Sequence, residues 1–312
     1  MNKTDNKTDV VYVLGKGSAW NNNELRFSIR SLVKNLEGIR RIYIVGEKPK
    51  WIKNVIHIPC PDHFSNGQNN DGNIIKKVLR ACQVQGLSKD FLFINDDHFI
   101  LKPINILDIP PYQKGDLKTF PQEYFEANYW RGRLWRTMNI LKKKGYPTFH
   151  YDCHTPILFN KKKFPEVISL FDYEKNTGYT MKSLYGNVVY GAGIHLGKNK
   201  KTIFRNYVYD DLVKILKNHS FASVNDTGLN VDFKIWLHIN FPNQSVYESE
   251  PFSSTFTEII NWLNSGRDYH KGCELYLKYG KNINIKRFIV TRTQRSAQKK
   301  LETHLIKLIH TQ

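Results

Sequence analysis

The residues best suited to chemistry stand at 95–97, where Asn95-Asp96-Asp97 follows the wholly apolar run Phe91-Leu92-Phe93-Ile94. An apolar run of this length predicts a strand covered on both faces. In open α/β sheets, ligands gather outside the carboxyl ends of the strands. Paired Asp side chains there are hard oxygen ligands for Mg²⁺ or Mn²⁺, and such an ion can hold a diphosphate, with Asn95 beside it. Two neighbouring buried anions without a cation would be costly. A loop that simply opens on polar residues is the competing explanation.

A second concentration of titratable groups, His150-Tyr151-Asp152-Cys153-His154-Thr155-Pro156, precedes the apolar run Ile157-Leu158-Phe159. Asp152 in this place could deprotonate an acceptor hydroxyl, and His154 could complete a metal shell or bind phosphate. Backbone hydrogen bonds within a turn would use the same residues. His195 is a further candidate metal ligand. Asp226, in the turn Ser223–Gly228, is a candidate acid or base on the acceptor side.

Gly15-Lys16-Gly17 lacks the third glycine of a dinucleotide fingerprint, and Trp20 occupies that place. It reads as a close-approach loop beside a nucleotide base or ribose. Arg26 and Arg30 share a helical face at i,i+4, where they either reach a phosphate or carboxylate or form a solvated surface. Trp130-Arg131-Gly132-Arg133-Leu134-Trp135-Arg136 suits stacking on sugars or bases, and equally a packing helix with a charged outer face. A nucleophile elbow, a P-loop and zinc-type His/Cys spacing are all missing from the sequence, which argues against hydrolase and ATPase chemistry.

The elements that must position these residues alternate in the first half of the chain as in an α/β domain. Asp9–Leu14, Arg40–Val45, Val55–Ile58 and Phe91–Ile94 read as strands. A helix capped at Asn23 carries Leu25, Ile29, Leu32, Val33 and Leu36 on one face and stops at Gly38. Another, after the polar loop 65–72, turns Ile74, Ile75, Val78, Leu79 and Cys82 inward. A third spans about 126–144. The expected organisation is a polar tail over 1–8, a catalytic domain over 9–250, and a basic, largely helical extension over 251–312.

Several blocks resemble the Stealth family, capsular-polysaccharide sugar-phosphate transferases that look like relatives of GT-A enzymes. They are Asn23-Glu24-Leu25-Arg26-Phe27-Ser28-Ile29-Arg30-Ser31-Leu32, Ile42-Tyr43-Ile44-Val45, Trp51 and Phe93-Ile94-Asn95-Asp96-Asp97. His154-Thr155-Pro156 and the run from Phe241 to Glu248 look like later blocks of the same kind. The resemblance implies a GT-A-like mixed sheet flanked by helices, a nucleotide-sugar donor, a divalent cation at Asp96 and Asp97, and transfer to a hydroxyl. It also implies Arg26 and Arg30 near the donor, and His154 near the reacting phosphate or metal. The family's first block carries an acidic Val-Asp-Gly-Ser stretch, where this chain has Leu14-Gly15-Lys16-Gly17-Ser18. That departure favours plain glycosyl transfer over sugar-phosphate transfer, with Lys16 on a donor phosphate.

Charge bears on the acceptor. The 312 residues hold 47 Lys+Arg against 28 Asp+Glu, a formal net charge of +19. Such an excess favours polyanions, although an AT-rich coding sequence would produce it as well. No apolar run approaches the roughly 18–20 residues of a membrane helix, no secretory signal is evident, and Cys60, Cys82, Cys153 and Cys273 are scattered. A cytoplasmic protein in a bacterial or phage-infected cell is expected. The combined expectation is a Mn²⁺- or Mg²⁺-dependent glycosyltransferase using a UDP-sugar. Its expected acceptor is a polyanion, with DNA carrying hydroxymethylated bases a concrete candidate. Trp130, Arg131, Arg133, Trp135, Arg136 and Asp226 would serve that acceptor. A sugar-phosphate transferase acting on capsule or teichoic-acid polymer and a non-catalytic nucleic-acid-binding protein are the alternatives.

Overall fold

A computed structural model describes residues 7–249, apart from 17, 19, 65–68 and 176–177. These residues divide into two compact units, 7–202 with 218–223 and 203–217 with 224–249. In the first unit, β1 (Thr8–Leu14) leads through α1 (Asn23–Asn35) to β2 (Ile39–Gly46) and β3 (Ile56–Ile58). Helix α2 (Asn70–Cys82) returns the chain to β4 (Asp90–Ile94), and a turn joins β4 to β5 (His98–Ile100). Helix α3 (Tyr129–Lys143), β6 (Ile157–Asn160) and α4 (Met181–Val189) follow, then β7 (Lys200–Ile203) and β8 (Phe221–Val224).

The main sheet runs in the order β3-β2-β1-β4-β6, parallel throughout except for β6, which is antiparallel to β4. It is the mixed α/β arrangement that the alternating pattern predicts. Side chains alternate across the sheet with period two. Val11, Val13, Phe91 and Phe93 share one apolar cluster with Ile75 and Val78 of α2 and with Met181 and Leu184 of α4. On the other face Tyr12 reaches α1, its hydroxyl 2.8 Å from Ser28 Oγ. Burying a Phe side chain such as Phe93 fully stabilises the fold by about 1.5–3 kcal/mol.

Helix α1 is buried on nearly every face, polar residues included. The reason lies in β5, which pairs antiparallel with β8 on one edge only. Side chains of α1 satisfy its other edge. Ser28 Oγ donates to His98 O at 2.5 Å, Ile100 N donates to Ser31 Oγ at 3.0 Å, and Asn35 Nδ2 donates to Ile100 O at 2.6 Å. The helix ends at Asn35, short of the expected stop at Gly38, because Leu36–Glu37 pair in parallel with Ile104–Asn105. Its cap is Asn22, in the left-handed region at φ 57°, rather than Asn23.

In the second unit α5 (Tyr209–Leu216) accompanies α6 (Val231–Asn240), and the Asn230 side chain caps α6 by accepting from Phe233 N at 2.8 Å. Among the described residues no helix is long and apolar enough to cross a membrane. The expected extension over 251–312 lies outside the described residues.

Candidate active site

The turn between β4 and β5 is closed by His98 N donating to Asn95 O at 3.3 Å. It leaves Asp96 and Asp97 half-buried and draws His98 into the interior at 1% exposure. The loop before β6 brings His154 alongside, its ring 5.7 Å from that of His98 and set edge-on. His154 has φ 53°, a left-handed conformation that costs a non-glycine residue about 1–3 kcal/mol and that clusters at functional sites. One ligand atom from each of Asp97, His98 and His154 falls within 4.8 Å of the other two.

These atoms are poorly supplied with partners. Asp97 Oδ1 and both ring nitrogens of His98 are buried without a hydrogen bond, and the closest approach between them is 3.5 Å. An orphaned buried polar atom costs about 1–3 kcal/mol, and a divalent cation between the two imidazoles and the carboxylate would take up Asp97 Oδ1 and one nitrogen of each ring. The residues therefore fit a metal. Imidazole ligands suit transition metals, and the carboxylate adds a hard oxygen ligand.

Electrostatics agree. Burial, followed by the charge of Glu24 for Asp96 and of Asp96 for Asp97, raises both carboxyls above the ordinary carboxylate range. Burial also drives His98 and His154 well below the usual imidazole value, aided by the cations of Lys182 and Lys200. Both rings are thus neutral, the form that ligates metal. Lys182 and Lys200 are themselves buried, and the Lys200 ammonium is pushed down to about 7 by burial and then by Lys114. Desolvation is the first cause for the carboxyls and for Lys200 alike, a pattern that marks a candidate functional site.

A cavity of about 190 Å³ opens beside the cluster, and His154 belongs to both. The N-terminal ends of α2 and α4 bring Asp71 and Lys182 to it, α3 brings Trp130 and Arg133, and the turn after β4 brings Asn95. Asp152, also in its wall, is 8% exposed, and its Oδ2 accepts from Ser183 N at 3.1 Å and Ser183 Oγ at 2.5 Å. Those bonds fix the carboxylate against the first turn of α4.

Other expected site residues lie elsewhere or have partners of their own. Asp96 stands beside Glu24 and outside the Asp97–His98–His154 cluster. Gly15 and Lys16 are exposed, and Gly17 is outside the described residues. Arg26 and Arg30 are 3% and 6% exposed, with Arg26 stacked 4.2 Å over Trp51 and Arg30 5.0 Å over Phe27. His195 is exposed on the two-residue strand beside Tyr112–Gln113, accepts Gly197 N on Nδ1, and is not part of the cluster. On α3, Trp130 and Arg133 face the cavity, whereas Trp135 is 40% exposed, Arg131 stacks on Tyr124 and Arg136 on Tyr129. Asp226 is exposed in a turn of the second unit.

Sequence reasoning passed over His98, Asp71, Lys182 and Lys200. The signal for His98 was adjacency to the Asp pair. The other three carry no sign in their local sequence, and Lys182 and Lys200 become buried only through tertiary packing.

No protein-family model matches the chain. It is 27% identical over 176 residues to a capsular polysaccharide phosphotransferase of Neisseria meningitidis serogroup B, covering 50% of this chain and 46% of the relative. It is 32% identical over 90 residues to an exopolysaccharide phosphotransferase of Nocardia farcinica (strain IFM 10152), covering 26% and 17%. The chain resembles sugar-polymer phosphotransferases. It spans less than half the length of these curated relatives. Among solved structures it aligns with the galactosyltransferase LgtC in complex with donor and acceptor sugar analogues, at TM-score 0.44 and 12% identity, covering 77% of this chain and 98% of that one. It also aligns with the bifunctional glycosyltransferase WbbM, at TM-score 0.43 and 14% identity, covering 77% and 50%.

Proposed function

We propose that this protein is a metal-dependent sugar-phosphate transferase that moves a sugar phosphate from a nucleotide-linked donor to a hydroxyl of a polysaccharide. The observation that carries the reading is the cluster of Asp97, His98 and His154 past the carboxyl end of β4, with its unpartnered buried ligand atoms. Similarity to capsular and exopolysaccharide phosphotransferases supports phosphoryl over plain glycosyl transfer. Lys114, Lys182 and Lys200 support it too, since their charges converge on His154. The DNA acceptor suggested by net charge has no counterpart in the names of these relatives.

Asp97, His98 and His154 would hold the metal, which when bound neutralises phosphate charge. Lys182 and Lys200 stabilise the extra negative charge that develops on the phosphoryl oxygens. Asp152 takes the proton of the acceptor hydroxyl on the oxygen that Ser183 leaves free. The acceptor oxygen forms a bond to the phosphorus that carries the sugar. The bond to the bridging oxygen of the diphosphate breaks, and a nucleoside monophosphate leaves.

The test is product analysis with UDP-, GDP- and CDP-linked sugars, Mn²⁺ and a capsular oligosaccharide. Nucleoside monophosphate and a phosphodiester-linked product are expected from wild type and not from Asp97→Ala. Release of the diphosphate from UDP- or GDP-sugars, with the sugar transferred alone, would establish glycosyl transfer instead. No turnover with any donor would sink the transferase reading.

A further inference from the structure

We propose that the cavity beside the Asp97–His98–His154 cluster is a subsite for one uncharged sugar ring, with Trp130 as its platform and the Asp71–Arg133 pair reading its hydroxyls. This deepens the transferase reading and rests on it.

Size is the first argument. At about 190 Å³ the cavity is smaller than the roughly 300–1,000 Å³ of pockets that enclose drug-sized ligands. A whole nucleotide sugar does not fit inside, whereas a single pyranose ring does. The walls match the two characters of such a ring. Ile74, Phe93 and Met181 give apolar surface for its C–H faces. Trp130 adds an indole held in place by the rings of His150 and His154, each 5.9 Å away. An aromatic ring fixed in this way offers a large stacking face with little further loss of rotamer freedom.

The polar groups carry unused capacity. Arg133 is 3% exposed, its Nη1 donates to Asp71 Oδ2, and its Nε is buried without a hydrogen-bond partner. Asn95 Oδ1 is likewise buried and unpartnered in the same wall. Lys182 Nζ donates to Thr155 O at 2.7 Å, one bond of the three its ammonium can make. A ring bearing several hydroxyls, each both donor and acceptor, can meet all of these.

Charge sets the class of sugar. Two carboxylates, Asp71 and Asp152, face two cations, Arg133 and Lys182, so the cavity is formally neutral. A uronic or sialic acid would bring a carboxylate that finds no surplus cation there, and burying it unpaired is costly. Lys114 and Lys200 do not line the cavity, so surplus positive charge belongs to the cluster side, where the phosphates would lie.

Saturation-transfer NMR on the full chain tests this with free glucose, galactose, N-acetylglucosamine and glucuronate, without metal or nucleotide. Signal from at least one neutral sugar and none from glucuronate is expected. Trp130→Ala should reduce that signal at least tenfold, and Trp130→Phe should retain part of it, with thermal melts confirming that each variant is folded. If Trp130→Ala does not fold, Asp71→Asn carries the same expectation. Silence from every neutral sugar, equal signal from glucuronate, or an unchanged signal in the folded variants overturns the proposal. Donor turnover without sugar binding would remove this subsite alone. Sugar binding without any donor turnover would remove the transferase reading and leave the subsite standing.

Discussion

The two ends of the main sheet treat buried carboxylates in opposite ways. At the start of β1, Asp9 is fully buried and fully partnered. It accepts from Arg40 Nε at 2.8 Å and Arg40 Nη2 at 2.5 Å, and from Ser88 N at 2.8 Å, while its own N–H donates to Ser88 Oγ at 3.0 Å. Burial pushes its carboxyl up, but the bonds from Arg40 and Ser88 together hold it below the ordinary value. Past the other end of the sheet, Asp97 has a buried oxygen with no hydrogen bond, and burial and Asp96 hold its carboxyl above that value. The first arrangement contributes to stability. The second lowers stability and leaves coordination capacity open for a ligand.

The largest test of this contrast is Asp97→Ala. Transfer should fall by about 10²–10³-fold, while the melting temperature stays level or rises, because a buried carboxylate oxygen without a hydrogen bond has gone. Equal losses of activity and stability would dissolve the distinction between the two ends. Next, Mn²⁺ at a hundredfold excess over its Kd should stabilise wild type by about 2.7 kcal/mol. The same ion should do nothing measurable for His98→Asn, read by thermal shift. Then Asp9→Asn should cost about 2 kcal/mol, below the ~3–5 kcal/mol of a fully buried broken pair because Arg40 is 39% exposed. The sign follows from a folded pKa below the unfolded one. Stability from Asp9 is fully present above about pH 4 and is lost as pH falls through the lower folded value. Urea midpoints between pH 5 and pH 2 should show a steeper acid decline in wild type than in Asp9→Asn; parallel declines would remove Asp9 from the account.

What the sequence made legible follows the same division. Phe91–Ile94 announced an interior strand because burial on both faces demands an unbroken apolar run, and the Asp pair at its end pointed to the turn that carries Asp97 of the candidate cluster. Arg26 and Arg30 read as a surface or donor-facing pair because i,i+4 arginines usually are. Tertiary context rules out the solvated surface by laying aromatic rings against both. His98 escaped notice for a related reason. Its place in the interior depends on α1 and β8, which supply the two edges of β5 from about 65 to 125 residues away in sequence. No local pattern encodes a partner at that distance. Lys182 and Lys200 were equally invisible, since a lone lysine in sequence carries no sign that its ammonium will be buried.

The smallest expected effect probes how the well-partnered interior reaches the open site. Ser28 Oγ donates to His98 O, so its single proton is committed, and the Tyr12 hydroxyl must donate to Ser28. Tyr12→Phe removes only the outer bond and should cost about 1 kcal/mol with Mn²⁺ affinity unchanged. Ser28→Ala strips the partner from the His98 carbonyl as well as from Tyr12, so its stability loss should be similar or slightly larger. It alone should weaken Mn²⁺ binding, by about 3- to 10-fold, because it alone frees the backbone that aims the imidazole. Calorimetric titration of Mn²⁺ into both variants separates these outcomes. Equal Mn²⁺ affinities would mean that β8 and the turn at Asn95 suffice to hold His98, and that α1 supports the fold without tuning the site.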